Sequence, residues 1–510
     1  MLPTRKPRAA RLRRFGALTL AGVLSAGGLQ AVAPAPAHGA GPTDHVNYWN
    51  EVLLQTFKQT TDVGPGPLAR DAAIMYLSMY DAANSVLCAQ RAVDCLGQPY
   101  ALKVNSTGDF NTAVDYAAHD ALTGVFGSLG FNFDDELATA QSDIADSPAK
   151  TAGMAVGQQT AAAMLQSRAN DHANDTMAYT PDSGPGAWQP ATPTGPVVTP
   201  NWGSVTPFVM TSGSQFRPEV PSGAADYAGL LASAEYTEQF NEVKAYGAVN
   251  STVRTADQTQ AAFFWANDVN GTYKPPGQLL QHTQIVADGQ HVPTTSKVKL
   301  FAQVSVGLAD AAILAWDRKF LGNVDLWRPD KAIQQADTDG NPDTDKDAAW
   351  QPLSVDRQGN HFSPPFPAFV SGHATFAYTW AHVMEHWFGR DDVAYTGTTD
   401  DPNAASVQRT FTSFSAAADE DAHSRLWLGV HWHFDADSSL NPGNELGEFA
   451  VDNAMYYNQS STELLYLHKT GVTDRNECDN TGRQLSNEHR WEFWRCAYSN
   501  NRTTYDLYVH

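Results

Sequence analysis

The feature that most constrains this chain is the period of its apolar residues. Nine segments (47–57, 67–87, 110–126, 149–169, 225–247, 257–268, 296–320, 375–388 and 409–427) repeat apolar residues at intervals of three and four, the spacing that lines one face of an α-helix. Alternation at every second residue, which marks a half-buried strand, is scarce. The expected fold class is therefore all-α: helical bundles, in two four-helix-bundle-like halves, with long ordered loops. The longest such loop is the Pro/Gly/Thr-rich stretch from Ser183 to about Pro221.

The ends of the chain divide it further. Residues 1–16 carry six Lys or Arg and no acid, an apolar core follows, and Ala35-Pro36-Ala37 has the form of a cleavage site. Residues 1–37 therefore read as an export signal and not as a stable membrane anchor, and the expected destination is secreted, extracellular. Arg13-Arg14 hints at twin-arginine export, and the route stays open. The rest reads as an N-terminal helical region (38–221), a C-terminal helical domain (222–470) and an extension (471–510). Removing the leader leaves 27 of the 33 basic residues against 55 acidic ones, a net charge of −28. Such a surface repels nucleic acid. The four cysteines pair by proximity in an exported chain, Cys88 with Cys95 and Cys478 with Cys496.

Against that acidic background, three C-terminal segments stand out for their cations. The first runs from Lys319 to Arg328-Pro329; the proline forces Arg328 into an extended conformation, off any helix face. The second is PPFPAFVSGHATF, 364–376. Its prolines hold the chain extended, Ser371 suits a helix N-cap, and the helix start offers unpaired N–H groups to an anion. Gly372 lets that anion approach the backbone, and His373 is placed to give or take a proton. The third is SRLWLGVHWHFDAD, 424–437. Arg425 and His431 are six residues apart, about 120° off a shared helical face, and Gly429 supplies a break that turns both to one point. His431 and His433, two apart, would alternatively face one metal from a strand. Three cations, backbone donors and two histidines suit a tetrahedral oxyanion such as phosphate or vanadate.

These three motifs in order, K…RP, SGH and SRxxxGxHxxxD, resemble the superfamily of type 2 phosphatidic acid phosphatases and vanadium-dependent haloperoxidases. ARDAAIMYLSMYDAANSV and NEVKAYGAVNSTVRTADQTQAAFFW are similar to its secreted bacterial haloperoxidase branch, so the resemblance covers most of the mature chain. It implies vanadate as cofactor, bound by Lys319, Arg328, Ser371, Gly372 and Arg425, with His431 bonded to vanadium. It implies His373 as the acid–base group, Asp435 as a hydrogen-bond partner that orients His431, and Phe366 as an aromatic beside the halide. The family spacing places its lysine seven residues before the RP arginine, where this chain has Leu321. Lys319 takes that place across a two-residue insertion, and Arg318 is a rival.

The resemblance implies a peroxidase acting on hydrogen peroxide, chloride or bromide, and a small organic acceptor. The alternative is an acid phosphatase in which His431 attacks a phosphate ester. A serine hydrolase is excluded: no G-x-S-x-G occurs, and Ser371 and His373 are only two residues apart. DTDGNPDTDKD, 337–347, alternates acids like a calcium loop but has Pro342 at position six and Ala348 at position twelve. An acidic ordered loop is the first expectation there, and a calcium ion the second.

Overall fold

A computed structural model describes residues 41–91, 95–192, 195–455 and parts of 466–509; the expected export signal lies outside the described residues. Fourteen α-helices are found among them. They are α1 His45–Gln59, α2 Pro65–Gln90, α3 Phe110–Phe126, α4 Asp134–Ala140, α5 Pro148–Ser167, α6 Tyr227–Leu231 and α7 Ala234–Tyr246, then α8 Ala256–Phe264, α9 Lys274–Gly289, α10 Thr294–Phe320, α11 Pro329–Gln334, α12 Gly372–Phe388, α13 Phe414–Trp427 and α14 His433–Asn453. Their starts follow local chemistry. Ser147 caps α5 with Pro148 at its first position, a capping box between Thr255 and Gln258 opens α8, and Ser371 caps α12.

Helices α2, α3 and α5 pack on one another, as do α12, α13 and α14, and α10 lies against both α2 and α12. Helix α10 is long and apolar enough to cross a membrane, yet its most apolar window is 94% buried within the protein. It is the shared core helix, and its last turn delivers Trp316 and Lys319. Buried groups on α10 hold down the described part of the 183–221 connection after residue 205. The Asp310 carboxylate accepts the N–H groups of Phe208, Val209 and Met210, and Arg217 pairs with Asp317. Three charge-assisted bonds to consecutive backbone donors replace the ladder that a loop lacks.

Two long helices fall outside the nine expected segments. Helix α9 opens on Lys274-Pro275-Pro276, and α14 contains Pro442, Gly443 and Gly447. The glycines of α14 face α12 so closely that added Cβ atoms would lie 2.7 Å from Tyr378 Cβ and 2.8 Å from His382 Cβ. Close helix contact, and not helix propensity, explains them. Expected helix 409–427 begins only at Phe414, because Gln408–Phe411 forms strand β2, antiparallel to β1 Tyr395–Thr398. Expected helix 225–247 is split into α6 and α7, with Ser233 capping the second. The C-terminal extension forms an antiparallel sheet in the order β3 Tyr466–Val472, β5 Tyr505–Val509, β4 Trp494–Tyr498. Cys88 and Cys95 are disulfide-bonded, Cα atoms 4.5 Å apart. Cys478 is also disulfide-bonded, and the side chain of Cys496 lies outside the described residues.

Candidate active site

A cavity of about 820 Å³ opens where the C-terminal helices meet the connections. Phe366, Gly372, His373, Arg425 and His431 line it, together with Trp316, Asp268, Lys274 and Arg357. Asp62–Pro65 and Val198 from the N-terminal half close one side. All five sequence-expected residues in that wall come from two short stretches, 366–373 and 425–431, each at a helix boundary.

The turn between α13 and α14 sets Arg425 and His431. Gly429 adopts φ +80, a region closed to most side chains, and breaks the helix so that both residues turn inward. A Cβ there would meet the Gly247 carbonyl oxygen at 2.4 Å. Arg425 is 1% exposed; its Nη2 donates to Asp268 Oδ2 at 2.5 Å, while its Nε and Nη1 are buried with no partner. Burial alone would push the Asp268 carboxyl up, but Arg425 and His373 beside it hold it below its ordinary value.

His431 is neutral and oriented from both sides. Burial, then the charges of Arg328, Lys319 and Arg425, push its pKa well below the usual histidine value. Its Nδ1 lies 2.7 Å from Asp435 Oδ2, and Arg328 Nη1 lies 2.9 Å from its Nε2. An arginine can only donate, so Nε2 is the lone-pair nitrogen and Nδ1–H points to Asp435. Burial raises the Asp435 carboxyl to about 7 despite Lys319 and Arg328. Its backbone carbonyl accepts Ser371 N–H at 3.0 Å, tying the starts of α12 and α14 together.

Arg328 is extended (φ −81, ψ 155) as the N-cap of α11. It donates to the carbonyls of Phe366 (2.9 Å) and Val430 (2.7 Å), and its Nη2 is buried without a partner. Burial lowers its pKa to about 10. Ser371 Oγ accepts Ala374 N–H at 3.3 Å, and Gly372 follows as the first residue of α12. His373 Nε2 donates to the Ala266 carbonyl at 3.0 Å; burial, with help from Arg425, lowers its pKa to about 3. The Phe366 ring packs on Trp316, centroids 4.9 Å apart, with the Arg328 guanidinium 4.9 Å from its centre.

Lys319 is placed differently from the other cations. Its ammonium donates to the carbonyls of Pro367 and Ala368, each at 2.8 Å, and of Val370. Three protons meet three acceptors, so Lys319 fastens the segment that leads into α12 while leaving its charge 5.1 Å from the Phe366 ring centre. Arg318, Lys319, Arg328, Ser371 and Asp435 are not among the residues that line the cavity; Arg328 touches His431, which does line it, whereas Arg318 stacks over the Phe369 ring at 4.8 Å. His431 and His433 do not share a face: His431 lines the cavity, whereas His433 meets Glu242 and His423. In the 337–347 loop, Asp337 pairs with Lys346 and Asp339 accepts Asn341 N–H and Thr344 Oγ1. These acids cap local turns and do not gather on one point among the described residues.

Trp316, Asp268, Lys274 and Arg357 were not legible as site residues. Trp316 sits in an apolar helical run, and Asp268 reaches Arg425 across 157 positions. No spacing signal links such pairs.

Residues 299–460, from α10 to beyond α14, match the family model described as VCPO second helical-bundle domain. The chain is 26% identical over 509 residues to the vanadium chloroperoxidase of Curvularia inaequalis, covering 81% of this chain and 82% of that one. In structure it is similar to a bacterial vanadium-dependent iodoperoxidase, with TM-score 0.63 and 21% identity over 83% of this chain and all of that one. A holo-type bacterial vanadium-dependent chloroperoxidase gives TM-score 0.58 and 16% identity, over 81% of this chain and 95% of that one. At these identities the solved structures establish a common fold.

Proposed function

We propose that this chain is a vanadium-dependent haloperoxidase, oxidising chloride or bromide with hydrogen peroxide at a vanadate held by His431. The observation that carries this reading is that two arginines touching the groups of the cavity wall keep buried donors without partners: Nη2 of Arg328, which contacts His431, and Nε and Nη1 of Arg425. The three guanidinium nitrogens of Arg318 are also unpartnered, but they stack over Phe369. A buried unpaired donor is destabilising by about 1–3 kcal/mol, more when charged, so Arg328 and Arg425 call for an acceptor-only anion. Vanadate is such an anion, and the residues fit it. Arg328, Arg425, Ser371 and Gly372 would hold its oxygens, and the lone pair of His431 Nε2 would bond to vanadium. When bound, vanadate activates peroxide toward halide without changing its own oxidation state.

The protein groups then have separate tasks. Asp435 keeps the proton on His431 Nδ1 and so leaves the lone pair on Nε2, which accepts Arg328 Nη1 here and would have to exchange that contact for the anion. Arg425 is held in aim by Asp268. His373, in the cavity wall and neutral because burial lowers its pKa to about 3, would give or take a proton beside the bound anion. Phe366 and Trp316 form an apolar wall that excludes water beside the halide. Lys319 acts through its charge and by fixing Pro367–Val370, because its protons are already accepted. The acceptor for the oxidised halide is a small organic molecule that enters past Asp62 and Arg357, exposed residues of the cavity lining. The leader read in residues 1–37 supports a secreted, extracellular site of action.

The test uses vanadate in both senses. Added to metal-free protein, it should generate bromide- or chloride-oxidising activity with hydrogen peroxide, and His431→Ala should lose tight vanadate retention in equilibrium dialysis. In the rival reading, an acid phosphatase in which His431 attacks a phosphate ester, vanadate would instead inhibit hydrolysis of p-nitrophenyl phosphate. Halide oxidation absent at saturating vanadate, or retention unchanged in His431→Ala, would overturn the proposal.

A further inference from the structure

Two histidines bracket the turn that carries Arg425 and His431, and neither lines the cavity. His423 lies on α13 and His433 opens α14. Their Nε2 atoms are 3.1 Å apart, with ring planes at 89° and centroids at 5.0 Å. In each ring the other nitrogen already has an acceptor. His423 Nδ1 is 2.7 Å from the Asp419 carbonyl oxygen, and His433 Nδ1 is 3.0 Å from Glu242 Oε2. A carbonyl or carboxylate oxygen needs a proton from Nδ1, which leaves a lone pair on each neutral Nε2. The two lone pairs face each other. Asp437, one turn beyond His433, brings Oδ1 to 3.7 Å from His433 Nε2, and ligand atoms of all three residues lie within 4.8 Å of one another.

We propose that His423, His433 and Asp437 form a binding site for a divalent transition-metal ion, with zinc as the best-fitting case and nickel or cobalt as chemical neighbours. Two facing lone pairs repel unless a cation lies between them, either a metal ion or a proton on His433, whose pKa the hydrogen bond to Glu242 raises. Zinc–imidazole bonds of about 2.0–2.1 Å at tetrahedral angles place the two nitrogens roughly 3.3 Å apart, close to the separation found. Two imidazoles and one carboxylate favour such borderline ions over calcium or magnesium, and a water completes the shell. The outer contacts also fit, since metal-bound histidines commonly donate their second N–H to a carboxylate or carbonyl, as both rings do here. The ion would join α13 to α14 and, through Glu242, to α7. It would thereby clip shut the Leu428–Trp432 turn on the face away from the cavity and fix the spacing of Arg425 and His431.

Metal uptake by tag-free, EDTA-stripped mature protein, without vanadate, tests this independently of the oxyanion reading. Titration of zinc against a chromophoric chelator should give one equivalent bound. Zinc at 100 times its dissociation constant should raise Tm by about 3 °C for a chain of this size. His423→Ala and His433→Ala should each weaken binding by ~100-fold, and Glu242→Gln, which removes an outer contact, by ~10-fold. Asp437 is exposed at the surface, so Asp437→Asn keeps the test alive if a histidine variant fails to fold; it should weaken binding by ~10-fold. If the short nitrogen–nitrogen approach is instead bridged by a proton, the wild type takes up no zinc, and the proposal falls. It falls equally if zinc binds but the histidine variants and Asp437→Asn retain the parental affinity.

Discussion

Replacing Gly429 with alanine perturbs the turn on which the site depends. At φ +80 an L-residue is destabilised by roughly 1–2 kcal/mol. The new Cβ would stand 2.4 Å from the Gly247 carbonyl oxygen and 3.0 Å from Pro352 Cα, backbone atoms that cannot swing aside, and such overpacking adds roughly 1–3 kcal/mol. The sum is about 2–5 kcal/mol. Unfolding entropy of about 2 cal/mol/K per residue comes to roughly 1 kcal/mol/K for this chain, so Tm should fall by ~2–5 °C. Gly340→Ala is the control, with φ +76 and nothing within 4 Å of the added carbon. It carries the strain without the collision, and should lower Tm by ~1–2 °C. The functional consequence separates the two further. Gly429→Ala shifts Arg425 and His431 relative to each other, and misplacement of about 1 Å can cost ~100-fold. Vanadate affinity, read by vanadium NMR or equilibrium dialysis, should therefore fall at least ~10-fold in Gly429→Ala and stay parental in Gly340→Ala. Equal melting shifts in the two variants, or parental affinity in a destabilised Gly429→Ala, would refute the reasoning.

The remaining expectations concern the groups around His431. Asp435→Asn should weaken vanadate binding by ~10–100-fold, because the ring loses the carboxylate that holds its Nδ1 proton; unchanged affinity in dialysis would remove Asp435 from that role. The same variant has a pH signature. The folded Asp435 titrates at about 7, above its ordinary 3.8, so the native state holds a proton the unfolded chain has lost. Its stabilising contribution is complete below pH 3.8 and disappears as pH rises through 7, and denaturation of the apoprotein should show a weaker fall over that range in Asp435→Asn. Arg425→Lys replaces a planar fork by a single point charge. Two charge-assisted hydrogen bonds at about 1.5–3 kcal/mol each predict at least ~100-fold weaker vanadate binding with little change in Tm, which calorimetry can check.

The sequence by itself determined the helical class and the order of the site motifs, because both are written locally. Apolar residues at three and four dictate which face a helix buries, whatever it packs against. Pro329 fixes the extended backbone of Arg328, Ser371 fixes the start of α12, and Gly429 fixes the break before His431; each acts through its own φ and ψ or through a neighbour three residues away. Tertiary structure alone decided the contacts that give these residues their tasks. Lys319 could be read as a free cation until the carbonyls of Pro367, Ala368 and Val370, some fifty positions onward, enclosed its ammonium. Asp268 became the partner of Arg425 across 157 positions. The glycines of α14, Gly443 and Gly447, read as helix breakers in one dimension, and only their close approach to Tyr378 and His382 of α12 accounts for them. His433, two residues from His431, faces His423 from the opposite side of the turn. Local backbone preferences are short-range and legible in one dimension, whereas charge pairing and close packing depend on which distant segments the fold brings within a few ångströms.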